Sequence, residues 1–595
     1  MGREGGDQRG QIVRSHTASQ IALQSVGERV TLAGWVDRRR HHGGVAFVDL
    51  RDHTGVVQVV MEPQRFEESV LLRREYCIQV RGVIRRRPEG AENPAMSSGM
   101  VEMDVEELTI LSPSEELPFP IEDRTDAEEL LRLEYRYLDL RRPRMARNLA
   151  ARSLALRTVR RTLEDMAFWE VETPTLIRST PEGARDLLVP SRHNPGAFYA
   201  LPQSPQIYKQ LLMVAGVDRY YQMCRCYRDE DFRADRQLEF TQIDLEGAFW
   251  DQDDVLAAVE KVVMAVASVL RPDREIPVPL PRLTYGEAMA RYGTDKPDVR
   301  FGMQIQELSD VFAGTGFRAF ANVLGSGGVV RGINAGQIQL SRARADALIA
   351  KARQWGAGGL VWMVVRPQAP PRSPVAKFLS QVELDSLVER MGGTPGDVLL
   401  LVADREKTAA ETLGRLRLDL GTPDDPDSLE FLWVVDFPMF EEKDGEITFL
   451  HHPFTSPTDV GQMVSRPLES VARSYDLVLN GVELGSGSVR IHDPDTQRRV
   501  FEIMGIPEEE AEERFGWFIK ALRYGAPPHA GFAVGFDRLV AVLRGVSSIR
   551  EIIPFPKTQT GAEPLSSSPA AVDREQLAEL GIAVAPRRAR AKPSG

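Results

Sequence analysis

The chain has 595 residues, a formal net charge of −12 at pH 7 and 42% hydrophobic residues, too long for one core, so three or four domains are expected. No apolar run is long enough to span a bilayer, and the start, MGREGGDQRG, lacks the apolar centre of a signal peptide. The three cysteines, Cys77, Cys224 and Cys226, make neither a disulfide framework nor a four-ligand zinc site, which points to a reduced, cytoplasmic protein, and the acidic balance argues against a nonspecific nucleic-acid coat.

Residues up to about Pro113 read as all-β. VTLAGWVDRRR, VAFVDLRD, GVVQVVME, YCIQVRGVIRRR and VEMDVEELTIL are short β-rich runs with Gly or Pro between them. Five such strands suit an OB barrel, a fold that binds oligonucleotides on one face. Arg38 to Arg40 and Arg85 to Arg87 form local basic patches. Arg40, Phe47 and Gln58 supply a backbone cation, a stacking ring and a base-edge amide, the tools for reading single-stranded RNA. The same residues serve equally as a core ring and a solubilising cluster.

Ser112 to Asp123 is Pro- and acid-rich and reads as a linker. Helical periodicity runs from Arg147 to Ala167. FWEVETPTL follows as a strand with Pro174 inside it, which confines it to a sheet edge or a subunit contact. STPEGARD is loop-like, with Glu182 as its candidate ligand. Ser204 is a helix N-cap with Pro205 at the first helical position, and Gln206 and Lys209 share a helix face.

The stretch from Gln222 to Asp244 reads as two antiparallel strands joined by a charged loop, Asp229 to Arg236, with four acids and two bases. Alternation places Arg228 and Glu230 on one face, with Gln237 and Asp244 on the returning limb facing the same cavity. A guanidinium there clamps phosphate, and a carboxylate takes amino hydrogens. Cys224 and Cys226 share a strand face as reduced packing residues. A helix runs from Gln252 to Leu270. From about Arg300 to Asp425, Gly-rich turns, β-runs and helices read as an α+β insert without a catalytic constellation.

His451 and His452 are adjacent on an extended segment, where neighbours point to opposite sides, which argues against a shared metal. Asn480-Gly481 marks a two-residue hairpin. Its register pairs Val478 with Glu483 and leaves Asp476 diagonal to Glu483. Two such carboxylates either hold Mg²⁺ beside nucleotide phosphates or are a pair of surface acids. Gly485 and Gly487 keep that floor shallow for a flat ligand. Simple alternation turns Arg490 away, so Arg490 reaches the floor only if the Gly-Ser-Gly bulges. Gly531 and Gly535 flank a strand that leads into a helix with Arg538 in its first turn.

Arg228, Asp229 and Glu230 followed by FRADRQLEFTQIDLE resemble motif 2 of the class II aminoacyl-tRNA synthetases, in the bacterial aspartyl form. FWEVETPTL resembles motif 1, the family's dimer interface, and GFAVGFDRL resembles motif 3. The resemblance implies a multidomain α+β protein. Its parts are an OB-fold anticodon-binding domain (1–113), a linker (114–145), an antiparallel-sheet catalytic core (146–299 and 426–560), a GAD-like insertion (300–425) and a C-terminal extension (561–595).

The same resemblance implies ATP and Mg²⁺ and a homodimer that joins L-aspartate to tRNA. It places the aspartate on Glu182, Gln206, Lys209, Arg228, Asp244, His451 and Arg490. ATP falls on Arg228, Asp229, Glu230, Gln237, Glu483 and the run Gly535, Phe536, Asp537, Arg538, with Mg²⁺ on Asp476 and Glu483. Arg228 and Arg538 carry the catalytic charge stabilisation. Lys209 and Arg490, with His451, make a cationic pocket that suits a side-chain carboxylate. The anticodon falls on Arg40, Phe47 and Gln58. His42 and Gly90 resemble the branch that charges both tRNA(Asp) and tRNA(Asn). The alternatives are an enzyme for tRNA(Asp) alone, an asparagine-specific relative, and a non-catalytic RNA-binding scaffold. The last requires damaged motifs, yet Arg228, Glu230, Asp476, Glu483 and Arg538 all stand in place.

Overall fold

Strict alternation in the first strands closes a barrel. In Arg29–His42 the buried positions are Val30, Leu32, Gly34 and Val36, every second residue, as a one-sided strand requires. Val45–Arg51, Val56–Met61, Cys77–Arg86 and Val101–Ser112 complete a closed five-stranded barrel, and closure leaves no open edge. Neighbours pair antiparallel except at the seam, where Val59 runs parallel to Met103. The interior is filled by Val48, Leu50, Val57, Val59, Ile78, Val80 and Met103.

The structure is a computed structural model that describes residues 14–180, 184–230 and 233–585. The chain divides after Ala146 into two compact units. In the first unit, the stretch expected as a linker is anchored by buried Phe119 and Ile121 against Leu138. Asp139 is fully buried there between Arg136 and Arg142.

The second unit is built on an eight-stranded sheet. Its order is Arg282–Thr284, Phe431–Val435, Ser474–Leu479, Val482–Val489, His529–Gly535, Glu239–Ala248, Arg219–Tyr227 and Trp169–Glu170. The two outermost pairings are parallel and the rest antiparallel. The helix Gln252–Leu270 starts at an Asp251 cap and buries Val255, Val259, Val262 and Val266 in the core. The helix Pro143–Asp165 adds Ala155, Val159 and Leu163. Among the described residues, no helix is long and apolar enough to cross a membrane.

Three local expectations change. The edge strand ends at Glu170, and Pro174 lies beyond it. Thr173 donates its N–H and hydroxyl to Gln222 Oε1, at 3.2 and 2.9 Å, in place of ladder bonds. The helix Gln206–Val214 starts one residue late, with Pro205 at the N-cap, although Ser204 Oγ still accepts from Gln206 N at 3.3 Å. The bulge in Val482–Val489 lies at Leu484, ahead of the Gly-Ser-Gly. Val478 pairs with Glu483, and Leu477 then pairs with Gly485. Asp476 therefore opposes Ser486. Positive φ at both Asn480 (52°) and Gly481 (79°) gives the turn that matches strand twist.

The segment between Arg300 and Asp425 forms its own five-stranded sheet. In Val398–Asp404, Val398, Leu400 and Val402 pack with the helices Arg342–Gln354 and Glu406–Leu420. Leu399 and Leu401 face the helices Arg318–Gly325 and Gln381–Arg390 instead. A continuous apolar run suits a strand covered on both faces.

Candidate active site

The antiparallel part of the larger sheet forms the floor of a cavity of about 560 Å³. The bulge at Leu484 reverses the face of the residues after it. Glu483, Ser486 and Arg490 thus all reach the cavity, which unbroken alternation forbids. Of the residues singled out in the sequence, Gln206, Lys209, Arg228, Glu230, Gln237 and Asp244 line it, as do His451, Glu483, Arg490, Gly535, Asp537 and Arg538. Asp229, Asp476 and Phe536 do not line it, and Glu182 lies outside the described residues.

One end of the cavity is a buried cluster of four charges. Lys209 Nζ lies 2.7 Å from Asp244 Oδ1 and 3.2 Å from Glu246 Oε2. Arg490 donates to Glu246 through Nε at 2.9 Å and Nη2 at 3.1 Å. Arg490 Nη1 donates to His452 Nε2 and to Ser488 Oγ, both at 2.7 Å. Burial pushes the Asp244 carboxyl up despite Lys209. Burial opposes charge on Glu246 as well, but Arg490 and Lys209 outweigh it and hold its carboxyl below the usual range. Burial and the neighbouring Arg490 push His452 well down, so it is neutral and accepts from the guanidinium. The expected positive pocket is corrected here: two carboxylates already balance Lys209 and Arg490. Glu246 escaped the sequence reading, and His452, expected on the side opposite His451, lines the same cavity. Alternation from Asp244 was a sufficient signal for Glu246, since residues two apart share a strand face.

His451 also faces the cavity, and its Nε2 lies 3.3 Å from Asp476 Oδ1. Burial works against its charge, but the Asp476 contact prevails and raises its pKa above 6.5. Asp476 is thus shared between His451 and the neighbouring Glu483. Burial and Asp476 both push the Glu483 carboxyl up.

The other end carries exposed and half-buried charge. Arg538 Nη1 donates to the Glu483 carbonyl at 2.7 Å, and Nη2 sits 3.3 Å from Asp235 Oδ2. Arg228 lies over the Phe240 ring at 5.3 Å, and its Nε donates to Gln203 O at 3.3 Å. Arg236 Nη1 donates to Glu230 Oε2 at 2.7 Å. The Gln237 amide is held by the Lys557 main chain, accepting at 2.7 Å and donating at 3.1 Å. Five buried atoms on lining residues have no hydrogen-bond partner among the described residues: Gln206 Nε2, Asp244 Oδ2, His451 Nδ1, Asp537 Oδ1 and Arg538 Nε. A ligand that satisfies them removes a desolvation cost.

Two neighbours act from beneath. Asp537 accepts from Thr241 N at 2.8 Å and pairs with Arg152 at 2.9 Å, so its carboxylate braces the first turn of the helix Phe536–Leu543. Phe536 is buried, with Arg152 over its ring at 4.8 Å. Gly485 and Gly487 do not serve by leaving headroom. A Cβ at either position strikes the Phe532 ring, at 2.6 and 2.5 Å respectively.

In the barrel, Arg40 lies opposite Phe47, and Asp49 opposite Gln58. Arg40 Nη2 donates to Asp49 Oδ1 at 3.0 Å and to Gln58 Oε1 at 3.2 Å, so the three proposed RNA-reading residues adjoin. His42 is exposed at the end of its strand, and Gly90 occupies a turn at φ 81°.

The sequence model of the family described as tRNA synthetases class II (D, K and N) matches residues 128–559. The chain belongs to this family. An OB-fold nucleic acid binding domain matches residues 30–111, the described barrel. An aspartate–tRNA(Asp/Asn) ligase of Moorella thermoacetica is 50% identical over 582 residues and covers 96% of each chain. One of Rubrobacter xylanophilus is also 50% identical, covering 96% of this chain and 97% of its own. The asparaginyl-tRNA synthetase of Pyrococcus horikoshii, solved with asparaginyl-adenylate, shares the class II fold. Its TM-score is 0.58 at 20% identity, over 92% of this chain and 99% of that one.

Proposed function

We propose that the chain joins L-aspartate to tRNA in two steps, with both tRNA(Asp) and tRNA(Asn) as acceptors. In the first, the aspartate α-carboxylate oxygen attacks the α-phosphorus of ATP and pyrophosphate leaves. In the second, a terminal ribose hydroxyl of tRNA takes the aspartyl group and releases AMP. No protein nucleophile is needed, so the residues position the reactants and stabilise charge. Arg228 holds the α-phosphate, and Arg538 the γ-phosphate and the adenine face. Glu230 orients ATP, while Gln237 fixes the cavity wall beside it.

The observation that carries the reading is the buried four-charge cluster opening into the same cavity as Arg228 and Arg538. Lys209 and Arg490 receive the side-chain carboxylate, and Asp244 receives the ammonium. Asp244 and Glu246 already balance these cations, so selection rests on hydrogen bonding: an asparagine amide turns N–H donors toward the N–H donors of Lys209 and Arg490, and a lysine adds a cation beside them. The donor set also fits Mg²⁺. Glu483 is raised by burial and by Asp476, and a divalent cation relieves such a pair. Asp476 and Glu483 would hold it, and it would neutralise phosphate charge.

The curated relatives bear names that give both tRNAs, and His42 and Gly90 agree with them. Arg40, Phe47 and Gln58 are the anticodon contacts. Exposed Trp169 on the short edge strand, with Leu149 and Leu176, supports a homodimer. A single-chain mass in solution would refute the dimer. Three free thiols fit a cytoplasmic location. The deciding experiment is ATP–pyrophosphate exchange across the amino acids, followed by charging of each purified tRNA. Exchange stimulated by aspartate alone supports the reading. Failure to charge tRNA(Asn) returns the chain to tRNA(Asp) only.

A further inference from the structure

Lys296 lines the cavity and has no part in the two steps above. Its delivery is built into the fold. The helix Tyr285–Tyr292 ends at Gly293, whose φ of 68° and close approach to Ala410 O, 2.0 Å from an added Cβ, admit no side chain. The chain then passes through Thr294 to Asp298 on its way into the inserted domain. Asp298 is buried and clamps Arg300 at 2.7 Å. Arg300 Nη1 reaches across to Pro426 O, where the chain returns from the insert, at 3.0 Å. A Cβ on Gly481, at the hairpin tip, falls 3.1 Å from Asp298 Cβ. The segment is thus seated on the hairpin that carries Glu483.

The Lys296 ammonium differs from three of the other cations that line the cavity. Lys209, Arg490 and Arg236 each hold a carboxylate within 3.0 Å. Lys296 Nζ lies 3.6 Å from Glu483 Oε2 and 3.9 Å from Asp295 Oδ1, and makes no hydrogen bond among the described residues. Its side chain is half-exposed. An ammonium has three donors, so all three are available to a ligand. Arg538 binds the main-chain carbonyl of Glu483. Lys296 and Arg538 thus flank one residue, and a polyphosphate that reaches Arg538 comes within range of Lys296.

We propose that Lys296 is a further catalytic residue, which binds the β- and γ-phosphates and stabilises the departing pyrophosphate. This rests on the functional reading above. In the activation step, a bond forms between the aspartate carboxylate oxygen and the α-phosphorus. The bond from that phosphorus to the bridging oxygen breaks, and its electron pair stays on pyrophosphate. Lys296 meets the charge that develops there, and no proton transfer is required. The insert's neck therefore supplies part of the phosphate site.

The test uses full-length Lys296→Ala and Lys296→Arg. Two measurements are made: aspartate-dependent ATP–pyrophosphate exchange, and single-turnover transfer from preformed enzyme-bound aspartyl-adenylate to tRNA. Lys296→Ala is expected to raise the half-saturating pyrophosphate concentration and slow exchange, each by about tenfold. Transfer stays unchanged, and Lys296→Arg recovers most of the loss. Unchanged pyrophosphate dependence overturns the proposal. So does an effect confined to the Mg²⁺ requirement, which makes Lys296 a mere counter-charge for Glu483. If the wild-type chain shows no exchange with aspartate but exchanges with another amino acid, the substrate reading fails instead, and the Lys296 variants are run with that amino acid.

Discussion

Replacing Arg490 by Leu removes the guanidinium that holds Glu246 through bonds of 2.9 and 3.1 Å. The side chain is 2% exposed, so water replaces the lost donors only in part. Glu246 keeps one close cation, Lys209 at 3.2 Å. Breaking a buried pair costs about 3–5 kcal/mol, and the surviving lysine places this case near about 3 kcal/mol of stability. Activity falls further. A site that loses its charged partner for a substrate group discriminates against that substrate by about 10⁴-fold in kcat/KM. The assay is aspartate-dependent pyrophosphate exchange at saturating ATP, with nucleotide binding measured by calorimetry. Aspartate activation is lost while ATP affinity is kept. A double variant, Arg490→Leu with Glu246→Leu, removes the orphaned carboxylate and recovers stability without activity. Exchange near the wild-type rate in the single variant would refute the reasoning.

Gly531→Ala puts a Cβ 1.8 Å from Glu246 Oε2 and 2.3 Å from Leu245 O, and main chain cannot yield as a side chain does. It costs about 1–3 kcal/mol in thermal unfolding and raises the aspartate KM far more than the ATP KM; an unchanged aspartate KM contradicts the account. His451 has a folded pKa raised above 6.5 by Asp476, so its contribution to stability is complete below pH 6.5 and lost as pH rises through the folded value. Histidine-labelled NMR titration shows this directly, and Asp476→Asn must lower the His451 midpoint. Arg40→Ala weakens tRNA binding about tenfold and leaves pyrophosphate exchange untouched; equal loss in both assays would place Arg40 in folding rather than recognition.

Local chemistry made much of this legible. The Asn480-Gly481 turn and the pairing of Val478 with Glu483 follow from turn geometry alone. The helix Gln252–Leu270 follows from its periodicity. Arg490 had to be rescued by a bulge, but nothing in the sequence marks Leu484, an ordinary apolar residue, as its place. The end of the edge strand at Glu170 is not legible locally, because the Thr173 bonds to the Gln222 side chain depend on a strand far along the chain. The charge balance around Lys209 is hidden from the sequence for the same reason. Lys209, Asp244, Glu246 and Arg490 come from a helix, a strand and the residue just past a second strand, which meet only after folding. Lys296 was silent because its site is made by a loop leaning on a hairpin nearly two hundred residues later.

A crystal structure with a non-hydrolysable aspartyl-adenylate analogue tests the central claim most directly. The account places the analogue's side-chain carboxylate within hydrogen-bond distance of both Lys209 and Arg490, its ammonium on Asp244 and its adenine against Arg538. An analogue whose side-chain carboxylate touches neither cation would contradict it.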